Sequence, residues 1–460
     1  LEHEGMIVGV IQADVVIIGA GTAGLAAERN ARRAGAETIL IDDRFSGTTC
    51  ASVGCMPSKL LIAASKAAHG VVKATDFGIH PASFTVDGAA VIKRVRALRD
   101  DFVRSTPASM DDLPDGTKLQ GKASFLDKNT LDVDGSKVHA KAIVIATGAR
   151  SVIPQPLQGL PSILTNETVF ELPDLPQSLA VIGAGPLGLE LAQAFSRLGV
   201  EVTAFNKSKK IAGLKDEAVA EALLSTLRRE FPIHLETDIQ AASRGDEIEI
   251  SWSGGSSGTQ RFSHVLVAAG RRPQLQALKP IFSRDTMQCG STSVFVAGDC
   301  NDDVPVLHEA SAEGAIAGFN AARYPAVTAS RRSTPLSITF TDPPSASVGT
   351  AEDEGSIVGE SKYSDQGRAR IDARNAGLAR LYADQDGKLT GATLAVPEAE
   401  HLAHLLVWSI ERGQTAMELL EQPVYHPTYE EGLRAALRQI CDKIDIDFPA
   451  DRDRGSAPGI

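Results

Sequence analysis

Apolar runs, glycine turns and helical patterns follow one another twice in the same order along this chain. From Val15 to Asp42 the sequence reads as an apolar β-run, a glycine turn, a helix with alanine and leucine at helical spacing, and a second β-run. The same order recurs from Leu179 to Asn206, 164 residues further on. Each copy is typical of a βαβ unit, which pairs its strands in a parallel sheet covered by helices. We therefore predict an α/β fold with two Rossmann-like dinucleotide-binding domains.

Three shorter apolar runs end in small residues, where a strand would give way to a loop. They are Ala142 to Arg150, His264 to Pro273 and Val294 to Asn301. In doubly wound sheets, ligands bind at the carboxyl ends of parallel strands. The residues that close these runs are therefore candidates for a ligand site.

The last third of the chain changes character. Short strand patterns precede two amphipathic helical patterns, Ala399 to Arg412 and Tyr429 to Ile440, which predicts a separate α+β domain. Proline-rich stretches and the junction Arg331 to Pro335 mark candidate boundaries. We predict that residues 1–155 and 271–334 build the first dinucleotide-binding domain, 156–270 the second, and 335–460 the α+β domain.

The first glycine motif has the pattern of a dinucleotide-binding turn. Gly19, Gly21 and Gly24 allow the backbone to approach a pyrophosphate at a helix N-terminus. Asp42 ends the second β-run, 23 residues after Gly19, where a carboxylate accepts hydrogen bonds from ribose hydroxyls. The alternative is a tight structural turn without a ligand, but strand, helix and acid in register favour a dinucleotide.

The second motif, formed by Gly183, Gly185 and Gly188, lacks the acid. Asn206 holds the position that corresponds to Asp42, and Lys207 follows with further lysines. A carboxylate there would repel the 2′-phosphate of NADPH, whereas an amide and nearby lysines would accept it. The pattern therefore favours NADPH, with a solvated lysine turn as the alternative.

Cys50 and Cys55 lie five positions apart at the start of a predicted helix, a separation within reach of a disulfide. They could instead be structural cysteines or metal ligands, but no further Cys or His pair lies nearby in the sequence to complete a zinc site. A redox disulfide is favoured because a helix N-terminus stabilises a thiolate and because a dinucleotide motif immediately precedes the pair. No metal site is predicted, and we expect the remaining cysteines to be packing residues or surface thiols: Cys289, Cys300 and Cys441.

Near the C-terminus, His426 stands five residues before Glu431. A carboxylate five residues later can hold an imidazole across one turn and a helix cap, which makes His426 a candidate base. Such a pair on its own is more typical of a structural histidine, so its meaning depends on the other motifs.

Together these motifs resemble those of the FAD-dependent pyridine nucleotide-disulfide oxidoreductases, most of all the dihydrolipoyl dehydrogenases among them. They stand in the family's order and span nearly the whole chain: GAGTAG with Asp42, GTTCASVGCMPSK, ATGAR, GAGPLGLE, AAGRRP, AGD, FTDP and HPTYEE. The resemblance implies FAD, NAD(H) or NADP(H), and a homodimer joined through the C-terminal domain. It does not decide between the two nicotinamide nucleotides.

Roles for individual residues follow from the resemblance. It implies that Cys55 lies against the flavin while Cys50 exchanges with the substrate, and that Lys59 pairs with Glu190 near the flavin edge where hydride arrives. His426 and Glu431 would act on the disulfide of the other subunit, so each active site would need two chains. The implied cofactor-binding residues outside the glycine motifs and Asp42 are Thr49, Thr147, Gly148, Gly270, Asp299, Asn206 and Lys207.

Single positions separate the subclasses of this family. Ser58 resembles the dihydrolipoyl dehydrogenase and mercuric reductase pattern and disfavours glutathione and thioredoxin reductases. Mercuric reductases use a C-terminal cysteine pair for a soft metal, whereas Cys441 is the last cysteine of this sequence and stands alone. We therefore expect an enzyme most similar to dihydrolipoyl dehydrogenase.

Four positions depart from that pattern. Thr48 and Ser52 replace a glycine and an asparagine around Cys50, and Asn206 replaces the acid of NAD-using relatives. Tyr425 beside His426 suggests a substrate that is bulkier or more aromatic than lipoamide.

The predicted reaction passes two electrons between a dithiol or disulfide substrate and NAD(P)(H), through FAD and the Cys50–Cys55 disulfide. One alternative is an NADPH-dependent or mercuric-reductase-like reductase of another substrate. The other is a flavin oxidase or quinone reductase that uses the fold without disulfide exchange.

Composition narrows the setting of this reaction. The 460 residues carry 46 Lys+Arg against 58 Asp+Glu, a net charge of −12 without a basic block, which argues against nucleic acid as a partner. Five cysteines are too few for a disulfide-stapled secreted fold and favour a reducing, cytoplasmic setting. The longest apolar run near the N-terminus is too short to span a bilayer, so no membrane partner is predicted.

Overall fold

The computed structural model describes residues 10–111, 113–273, 281–350, 353 and 355–445. In chain order, strands β1 to β22 are Ile11–Ile18, Thr38–Asp42, Lys118–Gln120, Ala123–Phe125, Thr130–Val133, Ser136–Ile145, Ala149–Ser151, Ile163–Leu164, Ser178–Ile182, Glu201–Phe205, Ile233–His234, Thr237–Arg244, Glu247–Gly254, Gly258–Phe262, His264–Val267, Arg271–Pro273, Val294–Val296, Leu336–Thr339, Ser345–Gly349, Ile357–Lys362, Leu378–Ala383 and Leu389–Ala395. Helices α1 to α11 are Thr22–Arg33, Thr49–Val53, Cys55–Lys73, Gly88–Asp111, Pro186–Arg197, Glu217–Leu227, Leu307–Arg323, Gly367–Ile371, Ala399–Glu411, Ala416–Leu420 and Glu431–Lys443.

The chain divides into two compact units. The first contains Leu1–Pro57, Arg94–Val152 and Gly270–Arg332, and the second contains Ser58–Lys93, Ile153–Ala269 and Ser333–Ile460. This division into two units does not test the four domain segments predicted from the sequence, and those segments stay predictions.

The first unit is built on the predicted sheet around β1. Its strand order is β3-β2-β1-β6-β5-β4, with β17 also paired to β6. Strands β1, β2, β3, β6 and β17 pair in parallel, and β4 and β5 extend the sheet antiparallel. Val15, Val16 and Ile17 are fully buried, as expected for a strand covered on both faces.

Glycines bring two helices of this unit into backbone contact. A Cβ at Gly314 of α7 would lie 2.1 Å from the carbonyl oxygen of Ala23 in α1, and a Cβ at Gly318 would lie 2.0 Å from that of Ala27. Because only glycine fits at these positions, α7 packs directly on α1. The start of α7 thereby lies at the same edge of the sheet as the start of α1.

The second unit contains the second predicted βαβ unit. Its parallel sheet has the order β11-β10-β9-β15-β8, and β12, β13 and β14 form a separate antiparallel sheet. The two βαβ units and their parallel sheets confirm the α/β fold that the repeats predict.

The last part of the second unit is the predicted α+β region. Its antiparallel sheet, β18-β19-β22-β21-β20, shares one apolar core with α9 and α11. Helix α11 begins two residues after the predicted start, because the Thr428 N–H donates to the Glu431 carboxylate at 3.0 Å and turns the chain before the helix. Over the residues that the structure describes, no helix is both long and apolar enough to span a membrane.

Candidate functional site

The first glycine turn is shaped by close backbone contacts. Gly19 has φ +105°, and a Cβ there would lie 2.4 Å from the carbonyl oxygen of Ala146. A Cβ at Gly24 would lie 1.8 Å from the carbonyl oxygen of Gly19, whereas a Cβ at Gly21 would meet nothing within 4 Å. The outer glycines therefore pack the turn, and the middle one leaves open space at the N-terminus of α1, which has no side-chain cap.

Asp42 supports this turn from the end of β2. Its Oδ2 accepts from the Ala20 N–H at 2.9 Å, and its Oδ1 accepts from the N–H groups of Arg44 at 3.0 Å and Phe45 at 2.8 Å. The carboxylate thus joins the glycine turn to the loop that leads toward the cysteine pair.

A cleft with about 660 Å³ of empty volume opens beside the turn. It is lined by residues of the first unit from the start of α1, the cysteine segment, the loop after β6, Arg271 of β16, the loop after β17 and the start of α7. Six of the predicted site residues line it together: Gly21, Thr49, Cys50, Cys55, Gly148 and Asp299.

The two cysteines sit on consecutive helices. Thr48 caps α2 by accepting from the Ala51 N–H at 3.3 Å, and the Ser52 hydroxyl donates to the Thr48 carbonyl at 2.9 Å. The two residues that depart from the family pattern therefore hold the helix that carries Cys50. Gly54 separates α2 from α3, which begins at Cys55, and Cys50 is half-buried while Cys55 is exposed.

Arg271 is a site residue that the sequence reasoning missed. Its guanidinium lines the cleft 3.5 Å from the Asp299 carboxylate, and it also donates to the Ala149 carbonyl. The AAGRRP motif contains this arginine directly after Gly270, but the sequence does not show that it reaches Asp299. Gly270 is exposed with φ +100°, and its carbonyl accepts from the Val152 N–H at 3.1 Å.

Orphaned polar atoms show what this region can hold. Among the described residues, buried Thr147 Oγ1 and Arg271 Nε have no hydrogen-bond partner. Buried polar atoms without partners are rare in folded proteins, and a bound ligand is one way to satisfy them. Together with the open α1 N-terminus and the Asp299 carboxylate, they fit a dinucleotide with a polyhydroxyl chain, such as FAD.

The second glycine turn repeats the construction of the first. Gly183 has φ +111°, and a Cβ there would lie 2.3 Å from the carbonyl oxygen of Ala268. A Cβ at Gly188 would lie 2.0 Å from the carbonyl oxygen of Gly183, and a Cβ at Gly185 would again meet nothing within 4 Å. The N-terminus of α5 has no side-chain cap, so this turn is equally open to a pyrophosphate.

At the position that Asp42 holds in the first turn, the second turn has Asn206, and both the oxygen and the nitrogen of its amide form hydrogen bonds. Its Oδ1 accepts from the Ala184 N–H at 3.1 Å, as Asp42 does for Ala20. Its Nδ2 donates to the carbonyls of Ser208 at 2.9 Å and Lys210 at 2.8 Å. Lys207 is 87% exposed and lies 3.2 Å from the Asp238 carboxylate, which favours the solvated-turn interpretation for this lysine.

Lys59 and Glu190 form the predicted ion pair in the second unit. Lys59 Nζ lies 2.6 Å from Glu190 Oε2, and the Glu190 side chain is buried. Phe340, which sequence reasoning did not single out, contacts both partners. Its N–H donates to Glu190 Oε1 at 2.8 Å, and its ring centroid lies 4.4 Å from Lys59 Nζ.

His426 and Glu431 form the second predicted pair. His426 Nδ1 lies 3.0 Å from Glu431 Oε1 in a hydrogen bond with a buried carboxylate, while the imidazole is 51% exposed. This bond fixes the tautomer and ring orientation, so Nε2 is the nitrogen directed to other partners. The catalytic and cofactor roles of all these residues stay predictions.

Comparison with known proteins gives the family. The model of the pyridine nucleotide-disulphide oxidoreductases matches residues 13–314, and the model of their dimerisation domain matches residues 336–437. A mercuric reductase of Streptomyces lividans is 30% identical over 463 residues, covering 94% of this chain and 97% of that protein. A dihydrolipoyl dehydrogenase of Geobacillus stearothermophilus is 29% identical over 464 residues, covering 93% and 96%.

The fold has close structural neighbours. The crystal structure of LpdA from Mycobacterium tuberculosis superposes with a TM-score of 0.79 at 22% identity, over 94% of this chain and all of that chain. This similarity confirms the fold. With the two family matches, it leads to one conclusion: this chain belongs to the FAD-dependent pyridine nucleotide-disulfide oxidoreductases, which use NAD(P)H.

Proposed function

We propose that this enzyme passes two electrons between a dithiol or disulfide substrate and NAD(P)(H), as dihydrolipoyl dehydrogenases do. One observation carries the proposal: Cys50 and Cys55 line the same cleft as the first glycine turn and Asp299. A redox pair beside a flavin site can exchange electrons with it, whereas structural cysteines need no such neighbour.

FAD, when bound, would supply the two-electron chemistry that connects NAD(P)(H) with the Cys50–Cys55 pair. The open N-terminus of α1 would hold its pyrophosphate, and Asp299 with Arg271 would hold its polyhydroxyl chain. In the second unit, Lys59 would act at the flavin edge, and its ion pair with Glu190 would hold the ammonium group in place.

The thiol chemistry balances in two displacements when a dithiol is oxidised. A substrate thiolate attacks Cys50 Sγ, the Cys50–Cys55 bond breaks, and Cys55 leaves as a thiolate. The second substrate thiol then attacks the sulfur bound to Cys50, which forms the substrate disulfide and releases the Cys50 thiol. The substrate loses two electrons and two protons, and the electron pair continues to NAD(P)⁺.

His426 would move the protons in these displacements. Because Glu431 holds Nδ1, Nε2 would take the proton from the attacking thiol and return it to the leaving thiolate. In the reducing direction the same group would protonate the departing substrate sulfur.

The nucleotide preference belongs to the proposal as well. The amide of Asn206 leaves the second turn without a carboxylate that would repel a 2′-phosphate, so we expect NADPH to be used at least as well as NADH.

A second candidate function is the reduction of mercuric ion. It is favoured by the 30% identity to a mercuric reductase and by the exposed Cys55 and half-buried Cys50, two soft ligands at one cleft. In that reaction NADPH would supply both electrons to Hg²⁺.

Steady-state turnover of the FAD-loaded enzyme separates the two candidates. D,L-lipoamide, glutathione disulfide and Hg²⁺ would each be offered with NADH and with NADPH. We expect the fastest turnover with lipoamide, and fast NADPH-dependent loss of Hg²⁺ with slow lipoamide turnover would favour the second candidate.

The cysteine assignment is tested by Cys50→Ser, with Cys289→Ser as the matched control because Cys289 is buried and lies outside the cleft lining. Cys50→Ser should retain FAD and lose disulfide turnover, while Cys289→Ser should keep both. Full lipoamide turnover by Cys50→Ser would overturn the proposal.

A further inference from the structure

A buried ionic cluster lies beneath the turn that carries Asp299. Glu313 of α7 is fully buried, and its Oε2 accepts from the Gly298 N–H and from Asn301 Nδ2, both at 2.7 Å. Its Oε1 accepts from the Arg332 guanidinium at 3.0 Å, and Arg332 also pairs with Glu309, one turn earlier on α7.

The turn above Glu313 has little freedom of its own. Gly298 has φ +76°, and a Cβ there would lie 2.9 Å from the Ala23 Cβ on α1. Strand β17 ends at Val296, so the sheet does not pair the buried Gly298 N–H, and the Glu313 carboxylate takes it instead. The next residue along the chain is Asp299, whose carboxylate lines the cleft.

Only a carboxylate satisfies this arrangement. Donors from Gly298, Asn301 and Arg332 converge on Glu313, and its two oxygens accept all three. A neutral glutamine would turn an NH₂ group against at least one of these donors. Arg332 is largely buried, and it pairs with both Glu309 and Glu313. Removing the negative charge of Glu313 would leave the Arg332 guanidinium with one carboxylate fewer to balance its own charge.

We propose that Glu313 is a positioning residue for FAD, because it fixes the Gly298–Asn301 turn and so places the Asp299 carboxylate in the cleft. Arg332 holds the Glu313 carboxylate in place, and anchors the cluster by donating to the Arg284 carbonyl at 3.2 Å. The inference rests on FAD as the cofactor and not on the identity of the disulfide substrate.

The test compares two buried glutamates of the first unit. Glu313→Gln would be purified as holoenzyme beside Glu28→Gln, because Glu28 of α1 is also buried and bonded to Arg32 at 2.7 Å but does not line the cleft. The FAD dissociation constant would be measured from flavin fluorescence on dilution, and the unfolding midpoint from far-UV circular dichroism.

We expect Glu313→Gln to weaken FAD binding about tenfold, the effect of losing one charged hydrogen bond. Glu28→Gln should weaken it less than about twofold, even where its unfolding midpoint falls as far. Equal loss of FAD in both variants, or unchanged binding in Glu313→Gln, would overturn the proposal.

A second, milder variant tests the role of Glu313 in FAD binding if Glu313→Gln does not fold. Asn301→Ala removes one donor to Glu313 without changing a buried charge, and we expect FAD binding to weaken about threefold. Binding equal to that of the unchanged enzyme would contradict the proposal. Absence of lipoamide turnover would leave this result intact, since the readout is FAD retention.

Discussion

At the residue scale, the two glycine turns show why one repeat ends in an acid and the other in an amide. Asp42 meets three N–H groups, all of them donors, so a carboxylate, which only accepts, suits this position. Asn206 meets one N–H and two carbonyls, and only an amide both accepts and donates. The loop that follows each strand therefore determines the residue at its end, before any nucleotide binds.

This difference predicts the result of exchanging the two side chains. Asn206→Asp would lose both bonds to the loop carbonyls and add a negative charge, so the ratio of kcat/KM for NADPH to that for NADH should fall about tenfold or more. Steady-state kinetics with both nucleotides measure the ratio. Asp42→Asn, the reverse exchange in the first turn, should leave it unchanged, and a constant ratio in Asn206→Asp would refute the expectation.

Phe340 supports a second prediction at this scale. Phe340→Leu keeps the N–H that binds Glu190 and removes the ring beside Lys59, a contact worth roughly 0.5–2 kcal/mol. We expect flavin reduction by NADPH, followed by stopped-flow absorbance, to slow by up to about tenfold. Phe319→Leu is the control, because it removes a similar contact with Arg323 on α7. Equal rates in both variants would count against a positioning role.

Residues such as Phe340, Arg271 and Glu313 could not be derived from sequence patterns. The glycines and Asp42 belong to one local repeat, so spacing alone relates them. Phe340 meets Glu190 across 150 positions, and Arg271 meets Asp299 only after two strands have paired. Contacts of this kind depend on how separate elements pack, which local periodicity does not contain.

At the element scale, the contact between α1 and α7 leaves no room for side chains at Gly314 and Gly318. Gly314→Ala would place a methyl group 2.1 Å from a backbone oxygen, and we expect it to lower the free energy of unfolding by about 1–3 kcal/mol. Gly70→Ala in α3, where a Cβ meets nothing within 4 Å, should instead raise it by up to about 1 kcal/mol. Guanidinium denaturation distinguishes the two, and equal effects would contradict the packing account.

Asp216 joins α6 to β21 within the second unit. It caps α6 through the Val219 N–H at 3.0 Å and accepts from the Tyr382 hydroxyl at 2.7 Å and from Arg380 at 2.7 Å. Burial by itself raises the pKa of Asp216, but these hydrogen bonds and the Arg380 charge outweigh it, so the pKa lies below its ordinary value. The ionised carboxylate therefore stabilises the fold at neutral pH.

The sign of its pH dependence follows. Because the folded pKa is depressed, this stabilisation is complete above about pH 4 and is lost as the pH falls through the folded pKa. Asp216→Asn should lower the free energy of unfolding at pH 7 by roughly 3 kcal/mol and flatten its decline in acid. Denaturation curves between neutral and acidic pH check this, and an unchanged acid slope would rule out the assignment.

Elements with strong local patterns were predicted well and short ones were not. The parallel strands and α1, α5 and α9 follow directly from apolar runs and helical spacing. Strands such as Lys118–Gln120 and Ala123–Phe125 contain three residues each. Three residues are too few to show an alternation of apolar and polar side chains. They form because neighbouring strands offer hydrogen-bonding edges, which is a property of the assembled sheet.

At the scale of the whole molecule, the matched dimerisation domain supports a homodimer. If each active site combines Cys50 of one chain with His426 of the other, Cys50→Ser and His426→Gln should each abolish disulfide turnover. Dimers re-formed from an equal mixture should recover about a quarter of the activity, because half are mixed and each has one intact site. Activity of the re-formed mixture no higher than that of the single variants would exclude a shared site.

The segment around His426 is fastened to the rest of its domain at several points. The Tyr363 hydroxyl donates to the Tyr429 carbonyl at 2.9 Å, Gln366 donates to the Thr428 carbonyl at 2.7 Å, and Glu431 holds the imidazole. Tyr425 beside it is 85% exposed. The imidazole of His426 is thus held in a fixed position, while the neighbouring side chain of Tyr425 is exposed to solvent. A substitution of Tyr425 can therefore change the surface beside His426 while the hydrogen bonds that hold the imidazole and its segment stay in place.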